Sequence, residues 1–267
     1  MIKCNYHTHT ILCDGKDTAE EIIIEAIARG FETIGFSAHS PLSGESWCLL
    51  PDTKEYRETI STLKEKYKGR IEILCGIEQD YYSEVENGYD YVIGSVHCVK
   101  VQDKLIAVDD TADIVIDAID RYFGGDADAF AEEYFRTVSD VVEKTGADII
   151  GHLDLIMKFS EKTDIFNPES ERYKKASEDA VKKLCKTNAL FEINTGAMAR
   201  GLRTSPYPAE NLLRLICSLG GDIIINSDCH DKRYLDYWFD EAVKLAKDCG
   251  FKRIAYITKG EIRYQNI

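Results

Sequence analysis

The 267-residue chain has no C-x-x-C pair, no excess of positive charge and no apolar run near the ~18 residues of a membrane-spanning helix. Its nine cysteines are an odd number spread along the chain, which is typical of a reduced, cytoplasmic protein rather than of a disulfide framework. We expect neither a transmembrane helix nor a secretory signal. The net charge of −14 argues against a nucleic acid or an anionic membrane as partner, although a small phosphorylated ligand is compatible with a locally positive site.

Linkers and nucleotide-binding loops are also missing. The five prolines are scattered, and the sequence contains no Gly/Ser-rich linker and no clear internal repeat. Hydrophobic residues make up 44% of the chain and charged residues 30%, which is enough for a sizeable core. We therefore expect one domain over residues 1–267. The absence of a G-x-G-x-x-G or Walker-type loop argues against an open nucleotide-binding sheet.

Short apolar, β-rich segments alternate with segments of helical periodicity. The predicted strands are at about 2–7, 33–38, 71–77, 90–96, 147–151, 190–194, 222–227 and, more weakly, 253–257. The predicted helices are at about 18–29, 52–68, 111–123, 128–145, 169–187, 208–219 and 234–248. Thr18 with Glu21 resembles a capping box at the first helix. Strands separated by helices indicate a parallel sheet, and seven or eight such units favour a closed α/β barrel.

All the histidines lie at the C-terminal ends of predicted strands, and none lies in a predicted helix. They are His7, His9, His39, His97, His152 and His230. Acidic residues follow the same strands, namely Asp14, Glu78 and Asp228. In a parallel barrel these ends lie on one face, where such folds build their active sites.

The spacing within this set indicates chelation of metal ions. His7 and His9 are two residues apart, as are Asp228 and His230, so in an extended segment each pair points to one side and can reach one ion. A lone strand-end histidine is more often a hydrogen-bonded loop or core residue, and Asp14 also suits a turn. The agreement of the whole set nevertheless favours a metal site. So many nitrogen and oxygen ligands suit two or three divalent ions, with Zn, Mn or Fe compatible, and no organic cofactor is expected.

Seven stretches of the chain carry a resemblance to a known family. They are "YHTHTILCDG", "TIGFSAHSPL", "ILCGIEQDYY", "VIGSVH", "DIIGHLDLIMKF", "FEINTGAM" and "INSDCH". Each is weak alone; together they resemble the PHP (polymerase and histidinol phosphatase) family, specifically its histidinol-phosphate phosphatase branch, nearly end to end. The resemblance implies a distorted TIM-like (β/α)7 barrel with a trinuclear metal site at the C-terminal ends of the strands. The closing "RIAYITKGEIRYQNI" is then expected to be a last short strand and a tail.

The resemblance also implies how the ligands are shared. Carried over by motif position, the first ion is held by His7, His9, Glu78 and Asp228. The second ion is held by Glu78, His97 and His152, and the third by Asp14, His39 and His230. Glu78, Asp228 and His230 are the candidate catalytic residues. Some family members have a histidine in place of Asp14, so this chain departs from those members at the third site.

Phosphomonoester hydrolysis is the chemistry that the resemblance implies. A divalent ion lowers the pKa of bound water to near 7, so a metal-bound hydroxide can attack phosphorus in line. Cationic side chains near the mouth would add donors for phosphate oxygens. Arg200, Arg203 and Lys158 are the candidates, with a solvated surface charge as the alternative for each. Trp47, which equally suits a loop core or a helix cap, and Gln79 or Asp80 are candidates for contacting the rest of the substrate.

Three functions are open at this point. The first is a phosphatase that hydrolyses L-histidinol phosphate to L-histidinol and phosphate in histidine biosynthesis. The second is a related phosphoesterase acting on another small phosphorylated metabolite, a nucleotide or a phosphoprotein. The third is a non-catalytic metal-binding module, which the complete ligand set argues against. Strong acidity and the lack of a basic, aromatic-rich stretch argue against a nuclease.

Overall fold

The computed structural model describes residues 3–42 and 52–267. These residues form eleven strands, which are β1 Cys4–Asn5, β2 Thr33–His39, β3 Glu72–Asp80, β4 Tyr91–Ser95, β5 Cys98–Val101, β6 Lys104–Ala107, β7 Ile149–Ile150, β8 Leu190–Asn194, β9 Ile223–Asn226, β10 Arg253–Thr258 and β11 Glu261–Asn266. Seven of them build one parallel sheet in the order β1-β2-β3-β4-β7-β8-β9.

The first and last strands of this sheet approach each other just beyond their ends. Thr8 pairs with Cys229 in a parallel bridge. The His9 N–H donates to the Cys229 carbonyl at 2.8 Å, and the Cys229 N–H donates to the His7 carbonyl at 2.9 Å. These bonds nearly close the sheet into a barrel, which confirms the predicted α/β barrel of seven parallel strands.

The strand register determines which side chains meet at the C-terminal mouth of the barrel. Across β2 and β3, His39 lies opposite Glu78, and across β3 and β4, Asp80 lies opposite Ser95. Because the strands are parallel, the residues that end them share one rim. The predicted ligands are therefore brought together by pairing of strands that are distant in sequence.

Ten helices occur in the described residues. They are α1 Ala19–Ala28, α2 Thr53–Lys66, α3 Ala112–Phe123, α4 Ala127–Val138, α5 Val141–Thr145, α6 Ser160–Thr163, α7 Glu171–Leu184, α8 Gly196–Ala199, α9 Glu210–Ser218 and α10 Phe239–Cys249. The capping box of α1 is confirmed: the Thr18 side chain accepts from the Glu21 N–H, and the Glu21 carboxylate accepts from the Thr18 N–H. No helix among the described residues is both long and apolar enough to cross a membrane.

Two details of the prediction are wrong. The segment 128–145 is not one helix but is divided between α4 and α5. The break follows from local bonds: the Ser139 hydroxyl donates to the Arg136 carbonyl, and the Asp140 N–H turns back to Thr137. The C-terminal segment contains the expected last short strand, β10, but its tail forms a further strand, β11, which pairs with β10 in an antiparallel hairpin.

The β10–β11 hairpin packs at the N-terminal end of the barrel. The Tyr6 hydroxyl donates to the Ile257 carbonyl and accepts from the Ile257 N–H, both at 2.8 Å. Around this contact, apolar side chains from the first positions of several strands fill the barrel interior: Cys4, Leu74, Tyr91, Ile93, Ile149, Leu190, Ile224 and Ala255. This end of the barrel is therefore sealed by a packed core.

A second hairpin, β5–β6, follows β4 directly. At its end the Val108 N–H donates to the His97 carbonyl at 2.8 Å. Val108 is fully buried, so the chain that continues into α3 is fastened beside a predicted metal ligand. This bond brings the chain between β6 and α3 to the C-terminal mouth of the barrel.

Candidate metal centre and active site

Glu78 is the central residue of the mouth. It lies near the C-terminal end of β3 and is only 1% exposed, and its two carboxylate oxygens face different groups of imidazoles. The Oε1 atom lies 2.9 Å from His152 Nε2 and 3.2 Å from His97 Nε2. It also accepts a hydrogen bond from the Ser95 hydroxyl at 2.8 Å, which orients the carboxylate.

The other oxygen of Glu78 meets the imidazoles of the first two strands. Its Oε2 atom lies 2.9 Å from His39 Nδ1, 3.2 Å from His7 Nε2 and 3.5 Å from His9 Nε2. A carboxylate that divides its oxygens between two sets of imidazoles has the arrangement of a ligand that bridges two ions.

Asp228 approaches the same group from the last strand of the sheet. Its Oδ1 atom lies 3.3 Å from His9 Nε2 and 3.6 Å from His7 Nε2. The Asp228 backbone has a φ of +46°, a conformation that non-glycine residues adopt at a cost and that is common at functional sites. Gly196 leaves room for this side chain, because a Cβ atom there would lie 2.7 Å from the Asp228 Cβ.

A third group lies nearer to solvent. The Asp14 carboxylate is 2.9 Å from His230 Nε2, 3.2 Å from His9 Nδ1 and 3.5 Å from His39 Nε2. Donor atoms of these four residues lie within 4.8 Å of one another. Asp14 is thus brought to the site, and its side chain is 34% exposed, which makes this group the most accessible of the three.

A further observation, which does not depend on residue type, supports metal binding by these donor atoms. His7 Nε2, His9 Nε2 and Glu78 Oε2 are buried and make no hydrogen bond within the described part of the chain. Buried polar atoms without a partner are rare and costly in proteins. Here the three atoms converge, and an ion held among them would satisfy all three.

The charges of the site support the same conclusion. Burial alone would raise the pKa of Glu78, but His39, His7 and His97 outweigh it and hold the pKa well below its usual value. Burial lowers the pKa of His7, yet Glu192, Glu78 and Asp228 raise it to about 10. His97 behaves alike: Glu78 and Asp80 overcome burial and raise its pKa to about 9. The carboxylates thus favour positive charge among these imidazoles, which divalent ions would also supply.

The mouth encloses a cavity of about 200 Å³ lined mainly by predicted ligands. Of the predicted substrate-binding residues, Arg200 and Lys158 line it. Arg200 donates to Asp228 Oδ2 at 3.1 Å, and Lys158 donates to the Asp109 carbonyl at 2.6 Å. Arg203 does not line it: this side chain donates to the Met157 carbonyl at 2.7 Å and stacks on a tyrosine ring. Trp47 lies outside the described residues.

A family model with the description PHP domain matches residues 5–196. The chain belongs to the PHP-domain family. The match includes seven of the nine predicted ligands and stops before β9, so Asp228 and His230 are placed with the others by the structure. The sequence resemblance is confirmed at the level of the family.

Relatives of this PHP domain match between 60% and 98% of its length. A Schizosaccharomyces pombe protein named "Probable histidinol-phosphatase" is 26% identical over 97% of this chain and 90% of its own. The "Histidinol-phosphatase" of Bacillus subtilis is 29% identical over 60% of this chain and 68% of its own. A crystal structure of the Lactococcus lactis histidinol phosphate phosphatase complexed with zinc, L-histidinol and phosphate matches with a TM-score of 0.76 and 24% identity, over 98% of both chains. This last match confirms the fold.

Two carboxylates of this PHP domain that hold the ligands in place were not recognised from sequence. Glu192 Oε1 lies 2.7 Å from His7 Nδ1, and its Oε2 accepts from the His152 N–H at 2.9 Å. Asp80, a candidate for substrate contact, instead lies 3.1 Å from His97 Nδ1 and is 2% exposed. Gln79, likewise a candidate, is buried against the backbone of Asp80 and Glu84. The signal for Glu192 was a charged residue inside the apolar strand "LFEIN".

Proposed function

We propose that this PHP domain is a metal-dependent phosphomonoesterase that hydrolyses L-histidinol phosphate to L-histidinol and phosphate, a step of histidine biosynthesis. The names of its relatives, the buried imidazole–carboxylate cluster and the two cationic side chains at the cavity support this function. The cavity of about 200 Å³ favours a small ester over a phosphoprotein. A different small phosphorylated metabolite or a nucleotide is the alternative that the closing experiment separates.

The observation that carries the proposal is the division of the Glu78 carboxylate between two sets of imidazoles. Oε1 faces His97 and His152, and Oε2 faces His7 and His9. This division agrees with a first ion held by His7, His9, Glu78 and Asp228, a second by Glu78, His97 and His152, and a third by Asp14, His39 and His230.

Zinc is the proposed metal, with manganese or iron as alternatives of similar ligand preference. When bound, the ions supply a nucleophile at neutral pH and draw phosphate oxygens. The residues Glu78, Asp228 and His230 are the proposed catalytic ligands, because each lines the cavity where the ester would lie.

The chain's own cations complete the phosphate site. Arg200 already contacts Asp228 and His230 Nδ1 at 3.1 and 3.0 Å, so its guanidinium lies directly beside the proposed ions. Lys158 also lines the cavity and is held by Asp109. Two cations around a phosphate dianion orient it and stabilise the charge that moves to the leaving oxygen. Arg203 has a supporting role, since its donors are used by backbone and by Ser205.

The decisive experiment is phosphate release by zinc-loaded protein from L-histidinol phosphate and from a panel containing a sugar phosphate, a nucleoside monophosphate and phosphoserine. We expect kcat/KM for L-histidinol phosphate to exceed the panel by orders of magnitude. A flat profile or another clear preference would keep the phosphoesterase and reject the substrate. No release from any member, with the metal bound, would reject the enzyme itself. An Asp228→Asn sample serves as the background control.

A further inference from the structure

The cavity contains one carboxylate that the metal centre does not explain. Four of the side chains that line it are not predicted ligands: Asp109, Leu155, Lys158 and Arg200. Lys158 and Arg200 suit a phosphate dianion, and Leu155 is apolar. Asp109 has the sign of charge that repels phosphate, so its presence beside a phosphate site needs a reason.

Asp109 is held rigidly in this position. It follows Val108, whose N–H is bonded to the His97 carbonyl at 2.8 Å. Lys158 Nζ donates to the Asp109 carbonyl at 2.6 Å and lies 3.3 Å from Oδ2. The contact with Lys158 is made by Oδ2, and the side chain, which is 26% exposed, lines the cavity. One carboxylate oxygen is thus fixed, and the other is available to a ligand.

The charge of Asp109 decides between donor and acceptor roles. Burial would raise the pKa of this carboxyl, but Lys158, His97 and His152 outweigh burial and lower the pKa. An ionised carboxylate accepts hydrogen bonds and does not donate a proton to a leaving alkoxide. Asp109 is also outside the ligand sets that the family resemblance implies for the three ions. A cation on the substrate is the remaining partner that a carboxylate at this place would attract.

We propose that Asp109 is a specificity-determining residue, whose carboxylate binds a cationic nitrogen of the phosphate ester while Lys158 holds it in place. The inference rests on the proposed function for the presence of an ester in the cavity. It adds the chemical class: an alkyl phosphate with an ammonium or imidazolium group a few bonds from phosphorus. The Asp109 carboxylate repels a phosphate group, but in such a substrate it also attracts the cationic group at the other end of the molecule.

The test compares matched esters in the Asp109→Asn variant. The esters are L-histidinol phosphate, imidazolylpropyl phosphate, which lacks the amine, aminoethyl phosphate, which lacks the imidazole, and propyl phosphate, which lacks both. Asparagine keeps the shape and an acceptor for Lys158 but removes the charge. The neighbouring Asp110, which is exposed and does not line the cavity, provides the control variant Asp110→Asn.

A hydrogen bond between charged groups predicts that Asp109→Asn lowers kcat/KM for L-histidinol phosphate relative to propyl phosphate by about 10- to 100-fold. Asp110→Asn should leave this ratio unchanged. A selective loss on aminoethyl phosphate assigns the contact to the amine, and a selective loss on imidazolylpropyl phosphate assigns it to the imidazole. An equal fall for all esters would overturn the proposal, because Asp109 would then only position Lys158 for phosphate.

Two further readouts separate this proposal from the proposed function. The inhibition constant of L-histidinol should rise in Asp109→Asn, while metal content stays at the wild-type level; an unchanged constant contradicts the contact. If the wild type hydrolyses phosphate esters without favouring L-histidinol phosphate, the proposed substrate is rejected. Asp109 is then judged on aminoethyl and imidazolylpropyl phosphate, each against propyl phosphate, and a wild type that favours neither over propyl phosphate overturns the inference.

Discussion

The two ends of one barrel have opposite chemistry although the same strands build both. At the N-terminal end, Tyr91 packs in the space left by glycines and donates its hydroxyl proton to the carbonyls of Tyr6 and Phe36. The Tyr6 hydroxyl is in turn bonded at both donor and acceptor positions to Ile257. The polar groups that these tyrosines bring into the core are therefore satisfied within the fold.

At the mouth, the same strands place together buried nitrogen and oxygen atoms that make no hydrogen bond within the described part of the chain. His7 Nε2, His9 Nε2 and Glu78 Oε2 converge without a hydrogen bond among the described residues. Such atoms cost about 1–3 kcal/mol each when left unpaired. The comparison indicates that the apolar end supplies folding stability. This stability offsets the cost of the buried atoms that make no hydrogen bond at the mouth. Changes at the mouth should therefore affect metal binding, and changes at the other end should affect folding.

The largest effect on the site is expected for Glu78→Gln. Glutamine keeps the shape but removes the charge that both sets of imidazoles share. Mutation of a residue that only orients a metal ligand lowers metal affinity or activity about 10- to 100-fold. Mutation of a ligand shared by two ions should therefore lower kcat/KM about 10³-fold or more, with loss of bound metal. Metal content and phosphate release are measured together. Normal metal content and activity would remove Glu78 from the centre.

Glu192→Gln should have the next largest effect. The carboxylate accepts from four donors: His7 Nδ1, the His152 N–H, and the side-chain amides of Asn194 and Asn226. The NH2 group of a glutamine is itself a donor and cannot accept hydrogen bonds from these four groups. The two imidazoles would therefore lose their orientation. We expect metal affinity to fall about 10- to 100-fold. Glu261→Gln, on exposed β11, is the control, and equal affinities in the two variants would contradict the role.

A pH series sharpens the comparison without a mutation. In metal-free protein the pKa of His7 is raised to about 10 and that of His97 to about 9, so both imidazoles carry protons at neutral pH. Ions must displace these protons, and apparent affinity should fall about tenfold per pH unit for each proton displaced as pH decreases. Calorimetry in buffers of different ionisation enthalpy measures the protons released. No proton release would contradict imidazole ligation.

The same pKa shifts predict how the stability of the metal-free, chelator-treated protein depends on pH. A histidine whose folded pKa is raised stabilises the fold fully below its unfolded pKa, near 6.5, and this stabilisation is lost as pH rises through the folded value. From these two groups, the metal-free protein should lose stability between pH 7 and pH 10. Metal-loaded protein should not show this loss, because its imidazoles are neutral and ligated. Thermal unfolding at both pH values, with and without chelator, checks the difference.

The convergence of the predicted ligands could be inferred from sequence, because their pattern is local and its consequence is topological. His7, His9 and Glu78 end parallel strands, and parallel strands in a barrel share a rim whatever their side chains do elsewhere. The cationic residues were harder, because Arg200 and Arg203 are three positions apart beside the four-residue helix α8. Their directions depend on bonds to Asp228 and to the Met157 carbonyl, which no periodicity reveals.

Asp109 shows a further limit of sequence pattern. It lies on no strand end, and its place in the cavity follows from the β5–β6 hairpin and from Lys158, which is 49 positions away. In the sequence it is one of two adjacent aspartates before α3. Only the backbone bond from Val108 to His97 explains why the first of the pair is at the cavity.

The smallest effect on metal binding is expected for Gly76→Ala at the apolar end. A Cβ atom there would lie 2.2 Å from the Tyr91 ring, so the packed core must shift. Overpacking of this kind costs about 1–3 kcal/mol of folding free energy.

The matched variant at the mouth is Gly196→Ala, whose Cβ would press on Asp228. Denaturant unfolding and metal titration of both variants test the division: Gly76→Ala should lose stability and keep wild-type affinity once folded, whereas Gly196→Ala should lose affinity. Equal losses of affinity in the two variants would mean that the core at one end also determines the geometry of the ligands at the other.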